Sequence, residues 1–247
     1  MTPTENFISH LIELRTRLLR IVIGLVVVFV ALFPFANDIY KLLAAPLLTK
    51  LPMGGQMIAT GVTTPFFVPM KVAMMAAFLI SLPHTLYQVW AFVAPGLYTH
   101  EKKFMIPMII FSSFLFLLGM SFAYFLVFPV VFGFIVGTAP EGVAVMTDIG
   151  NYLDFVMTLF FAFGLAFEVP IAVVMAVRFG WVGIAALRDA RGYVVVGAFV
   201  IGAIFTPPDI ISQFMLAVPM WLLYELGIIV AIFTKQRAEP TMQPPAS

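Results

Sequence analysis

Residues 104–140 contain no charged side chain, and neither do residues 72–100, 21–37 or 192–208. Runs of this length cannot face water, so they must be buried in a core or in a bilayer. Composition decides between the two. Of 247 residues, 62% are hydrophobic and only 10% are charged, and the mean hydropathy is +1.08. A soluble domain carries about 25% charged residues. So few charges cannot cover a water-facing surface, and the chain reads as a polytopic membrane protein. The runs are too long for strands and lack the period-two alternation of a membrane barrel, so the fold class is all-α.

Six transmembrane helices are expected, near 20–36, 68–92, 104–133, 151–178, 193–206 and 211–233. Six spans put both termini on one side. That side holds Arg15, Arg17, Arg20, Lys102, Lys103, Arg178, Arg188, Arg191, Lys235 and Arg237, against Lys41, Lys50 and Lys71 on the other. The excess of Lys and Arg predicts cytoplasmic termini. The fifth and sixth spans are expected to be short. Tyr193–Phe205 reaches about 20 Å at 1.5 Å per residue, less than a hydrocarbon core of about 30 Å. The TPPD turn after it, Thr206–Asp209, fits a sharp helical hairpin or local thinning of the bilayer.

The expected organisation is a single membrane domain, 1–234, with a disordered cytoplasmic tail at 235–247. No cleavable signal peptide is expected, because the first apolar run follows a mixed-charge leader. Residues 3–19 predict an amphipathic helix at the cytoplasmic interface, opened by a capping box of Thr2, Pro3 and Glu5. Phe7, Leu11, Leu14 and Leu18 share one face of it; His10, Glu13, Arg17 and Arg20 share the other. The loop at 38–66, with Pro46, Pro52, Pro65 and Gly54–Gly55, reads as an ordered outer cap. So does 134–150, with Pro140, Gly142 and Asp148.

Enzymatic chemistry finds little footing. Cysteine is absent. His10, His84 and His100 lack metal-ligand spacing, so no metal or cofactor is expected. There is no G-x-S-x-G, no H-E-x-x-H and no phosphate loop, so the chain is not an enzyme and does not itself use ATP.

Four carboxylates remain. Glu13 and Arg17 stand at i,i+4, which as residues alone describes an ordinary helix-surface pair. Glu101 follows the apolar stretch FVAPGLYTH and precedes Lys102 and Lys103. It either balances the lysines or awaits a cationic partner. Glu168 falls about 15 Å of helix from the inner end of its span, near the midplane, where an ionisable side chain costs at least about 2.5 kcal/mol if charged. It reads as a hydrogen-bonded buried acid or a functional group, with Gln213 a candidate partner. Glu225 lies nearer the inner end of the sixth span, within reach of the interface by snorkelling.

Seven segments carry a family likeness: HLIELRTRLL (10–19), FANDIY (35–40), MIATGVTTPFF (57–67), YQVWAFVAPGLYTHEKK (87–103), FGLAFEVP (163–170), VVGAFVIGAIFTPPD (195–209) and Tyr224–Gly227. In these the chain resembles the TatC family, the multispanning component of the twin-arginine protein translocase. The resemblance implies a bacterial inner-membrane protein that binds signal peptides with two consecutive arginines. It would export folded proteins using the proton-motive force. Its implied partners are the single-span proteins TatA and TatB and further copies of itself within the complex; no nucleic acid is expected. The resemblance assigns Glu13, Arg15, Phe92, Pro95 and Glu101 to the signal-peptide surface and Glu168 to an intramembrane polar site. Pro46 and Asp209 match family positions in the outer loop and the fifth-span turn. Lys102 and Lys103 stand where some relatives have arginines. The rival reading is a proton- or ion-coupled small-solute carrier using Glu168, against which stands the lack of an internal repeat.

Overall fold

The computed structural model describes residues 3–49, 57–93, 102–138, 146–205 and 210–236. Pro52, Gly54–Gly55, Pro95, Glu101, Pro140, Gly142, the Thr206–Asp209 turn and the tail from 237 lie outside the described residues. Within them every element is helical, apart from one isolated bridge between Ile58 and Asp148.

Helix α1 (Pro3–Leu32) runs without a break through the basic cluster into the apolar run. It ends at a single 3-10 turn, Phe33–Phe35, where Pro34 removes a backbone donor. α2 (Ala36–Leu48) follows, then α3 (Thr64–Val93) and α4 (Lys102–Phe122). A π-helical turn, Ala123–Val127, joins α4 to α5 (Phe128–Gly137). α6 (Ile149–Phe167) and α7 (Val169–Arg178) form one apolar segment interrupted at Glu168. α8 (Ile184–Asp189), α9 (Arg191–Phe205) and α10 (Ile210–Gln236) complete the chain.

Among the described residues, five segments are long and apolar enough to cross a membrane. They are Ile8–Leu48, Thr64–Val89, Ile106–Gly137, Ile149–Arg178 and Ile210–Thr234, and Arg191–Phe205 is a shorter apolar helix. α9 has 15 residues, about 22 Å. α10 has 27 residues, about 40 Å, which corrects the expectation of a short sixth span. The helix passes through Glu225, which pairs with Arg191 on α9.

The core is built where α4 crosses α6, with α3 and α2 against them. Two glycines permit the close crossing. A Cβ on Gly164 would lie 2.6 Å from the Phe116 ring, and one on Gly119 would lie 2.5 Å from the Phe163 carbonyl. Hydrocarbon provides no hydrophobic drive between helices, so such small-residue approaches and the packing they allow hold the bundle together. Phe128, Phe163, Leu153 and Leu159 are fully buried. Val27, Phe111 and Phe125 point outward, as lipid-facing side chains do. A second, smaller core of Val173, Leu187, Tyr224 and Ile228 joins α7, α8 and α10.

The segments expected to form the outer cap are ordered by specific bonds. Pro46 is buried inside α2 and has no N–H to give to the Leu42 carbonyl. That carbonyl instead accepts from the Tyr124 hydroxyl at 2.7 Å, presented by the π-helical turn. Tyr152 donates to the Leu43 carbonyl at 2.8 Å. Beyond α2, the Ile58 amide donates to Thr147 and the Ile149 amide donates to Ile58. Asp148 caps α6 by accepting from Gly150 and Asn151, and its other oxygen accepts from the Thr60 hydroxyl and amide. These bonds, the Thr60 hydroxyl first, hold the Asp148 carboxyl down at about 2.

Two outcomes follow from the cap. Tyr124→Phe should lower thermal stability in detergent by about 1 kcal/mol. The loss should be smaller in a Pro46→Ala background, where a backbone N–H is returned to the Leu42 carbonyl. Asp148 has a folded value below its ordinary 3.8. Its contribution is therefore fully present above 3.8 and is lost as pH falls through about 2. Hydrogen exchange at the Thr60 and Asn151 amides should speed up over that window, and Asp148→Asn should remove the dependence.

Candidate functional site

Three polar constellations stand out among the described residues: Glu13 with Arg17 and Gln88, Glu168 with Ser112, and Glu225 with Arg191. The first is where α1 crosses the last turns of α3. The face of α1 that turns inward is its polar one. Arg17 donates through Nη2 to Glu13 Oε1 at 3.0 Å and through Nη1 to Gln88 Oε1 at 3.2 Å. A longer 3.5 Å contact reaches the Ala91 carbonyl. The Arg17 and Glu13 side chains are 21% and 33% exposed, so the pair is set into the crossing without being fully covered. Towards the N-terminus, His10 stacks on Phe92 with ring centroids 4.3 Å apart. Leu11, Leu14 and Leu18 point away from the protein. The helix is amphipathic as its sequence predicts, but the polar stripe meets α3 and the apolar stripe is left for the membrane. Arg15 is exposed.

The second constellation is inside the membrane segment. Glu168 sits between α6 and α7, where Pro170 cannot donate to the Ala166 carbonyl; the Glu168 amide bonds that carbonyl and Leu165 instead. Glu168 Oε2 accepts a hydrogen bond from the Ser112 hydroxyl on α4. Its Oε1 is buried and has no hydrogen-bond partner among the described residues. Gln213 is not the group bonded to Glu168. It lies on α10 beside Gly202 of α9, where a Cβ would come within 3.3 Å of the Gln213 carbonyl.

In the third, Arg191 at the start of α9 binds Glu225 of α10 with two bonds, Nε to Oε1 at 2.6 Å and Nη2 to Oε2 at 2.7 Å. Paired rather than merely snorkelling, Glu225 ties the short α9 to the long α10. Among the described residues no group of three or more His, Cys, Asp or Glu could hold a metal.

The family model for the Sec-independent protein translocase protein (TatC) matches residues 9–219. The chain belongs to the TatC family. The TatC of Azotobacter chroococcum mcd 1 is 54% identical over 233 residues, covering 94% of this chain and 91% of the relative. The TatC of Escherichia coli (strain K12) is also 54% identical over 233 residues, covering 93% and 89%. A crystal structure of a twin arginine translocase receptor, TatC, superposes with a TM-score of 0.78 at 37% identity, covering 92% of this chain and 99% of that one. TatC membership makes this a multi-pass transport protein and not an enzyme, and it lends the small-solute carrier alternative no support.

Of the residues that the TatC resemblance assigns, the structure brings Glu13 and Phe92 onto one crossing and leaves Arg15 on the surface. Pro46 is buried in α2. Pro95, Glu101 and Asp209 lie outside the described residues. Sequence reasoning missed Ser112, Gln88, Arg191 and Tyr124. Each is a partner distant in sequence, and a serine or glutamine in an apolar helix was the only signal available for the first two.

Ser112→Ala should leave both Glu168 oxygens without a donor and lower thermal stability by about 1–3 kcal/mol. Ser112→Thr, which keeps the hydroxyl, should restore much of the loss.

Proposed function

We propose that this chain is the multispanning core of a twin-arginine translocase. In this reading it spans the bacterial inner membrane six times with both termini in the cytoplasm, and α9 is the short fifth span. It binds signal peptides bearing paired arginines and, with TatA and TatB, exports folded proteins using the proton-motive force. It works as a homo-oligomer within that complex. The observation that carries the reading is the family match over residues 9–219, which spans the α1–α3 crossing where the Glu13 side chain is a third exposed.

The chemistry supports it. Guanidinium is planar and donates in pairs, so carboxylates are its natural receptors, whereas an ammonium is a point charge. Glu13 stands on the surface that the basic-residue count puts in the cytoplasm. Glu101 joins it as the second carboxylate in the family-based assignment, with Phe92 and Pro95 forming the apolar surround and Arg15 alongside. The intramembrane polar site, with Glu168 as its principal residue and Gln213 and Glu225 assigned to it, faces a different task. The Glu168 oxygen that Ser112 does not use lies buried without a donor among the described residues, and a polar group on a single-span partner helix reaches it once the side chains covering it shift.

Glu101→Gln and Glu13→Gln should each reduce crosslinking of a twin-arginine signal peptide by about tenfold, the size of one charge-assisted bond. Unchanged crosslinking would remove those residues from the recognition surface. Glu168→Ala should cut crosslinking to the single-span partners and leave signal-peptide crosslinking near its normal level.

A further inference from the structure

The Glu13 carboxylate already has a guanidinium beside it. Arg17 uses only one of its oxygens, Oε1, at 3.0 Å. A free arginine beside a glutamate usually closes into a fork with two parallel bonds. Here the fork is opened, because Gln88 on α3 accepts from Nη1 at 3.2 Å. The Ala91 carbonyl lies 3.5 Å from Nη2. Among the described residues, Glu13 Oε2 accepts no hydrogen bond, and a third of the side chain is exposed. The site is thus close to neutral, yet it keeps one oriented acceptor.

That arrangement separates charge from direction. A bare carboxylate attracts any cation, and an ammonium gains nearly as much from it as a guanidinium does. With Arg17 cancelling the charge, a point cation gains little. A guanidinium still gains, because it can place a planar N–H on Oε2 and its other edge on a neighbouring acceptor. Resting on the signal-peptide reading above, we propose that Arg17 is a specificity-determining residue. Held off Oε2 by Gln88, it neutralises Glu13 and so makes the site prefer arginine to lysine.

The test measures binding of two synthetic signal peptides, identical except for paired arginines or paired lysines, to the full chain in membrane vesicles. Arg17→Gln should raise paired-lysine binding by about tenfold and compress the arginine-to-lysine ratio by the same factor. Its paired-lysine binding should also fall more steeply with added salt, because the exposed charge is no longer compensated. Arg17→Lys restores the positive charge and should return paired-lysine binding to its normal level. Gln88→Ala should let Arg17 close on both Glu13 oxygens, lowering paired-arginine binding by about tenfold with paired-lysine binding unchanged. Equal loss of both peptides in Arg17→Gln, or in Gln88→Ala, overturns the inference and reduces Arg17 to a tether between helices. Unchanged paired-arginine binding in Gln88→Ala overturns it as well. If Arg17→Gln does not fold, the Gln88→Ala measurement decides alone. An unaltered chain that binds both peptides equally defeats the signal-peptide reading itself. One that discriminates, with Arg17→Gln discriminating as well, defeats only this inference.

Discussion

Hydrocarbon offers no hydrogen-bond partners, and this constraint organises the molecule. Every backbone or side-chain polar group placed within the membrane segments needs a partner from the chain itself. The ordinary helix ladder meets most of the demand. Where it fails, a specific side chain steps in. Pro46 frees the Leu42 carbonyl and Tyr124 takes it. Pro170 breaks the ladder at Glu168, whose own amide bonds back to Ala166 and Leu165. Ser113 and Thr158 turn their hydroxyls onto carbonyls one turn back in their own helices. Glu225 is bonded twice by Arg191. The bonds from Tyr124 and Arg191 also tie one helix to another, alongside the close packing that Gly119 and Gly164 allow.

The same constraint explains why α1 packs by its polar face. In water, Leu11, Leu14 and Leu18 would turn inward and Glu13 and Arg17 outward. At a membrane the cost is reversed, because the leucines are content in lipid and the charged pair is not. Glu13, Arg17 and Gln88 therefore meet at the crossing with α3. A carboxylate is thereby held in a partly protected setting at the basic end of the bundle, where the signal-peptide reading needs it. Glu168 is held differently, by one hydroxyl, with its second oxygen unbonded among the described residues. The two sites differ in setting: Glu13 is a third exposed at a helix crossing, whereas the free Glu168 oxygen is buried.

Much of this is legible in the residues. The charge-free runs mark the apolar helices, and seven short segments carry the family likeness on their own. The elements that sequence reasoning misjudges share one cause. Residues alone suggest a short sixth span, yet α10 has 27 residues, and the Arg191 that pairs with its Glu225 comes from another helix. Gln213 is a reasonable partner for Glu168 by chemistry, but Ser112 is the residue that helix packing brings there. The leader reads as lying at the interface on its leucine face, and nothing local shows that Gln88 and Phe92 wait opposite its polar one.

The sequence by itself determined the class of protein, the approximate spans, which end is basic and the family, because each depends on composition or on order along the chain. Tertiary structure alone decided the long-range pairings: Arg17 with Gln88, Ser112 with Glu168, Tyr124 with Leu42, and Arg191 with Glu225. A hydrogen bond depends on which helices cross and at what height. In an apolar bundle that is set by small-residue contacts such as Gly119 and Gly164, whose effect on distant side chains is not written locally in the chain.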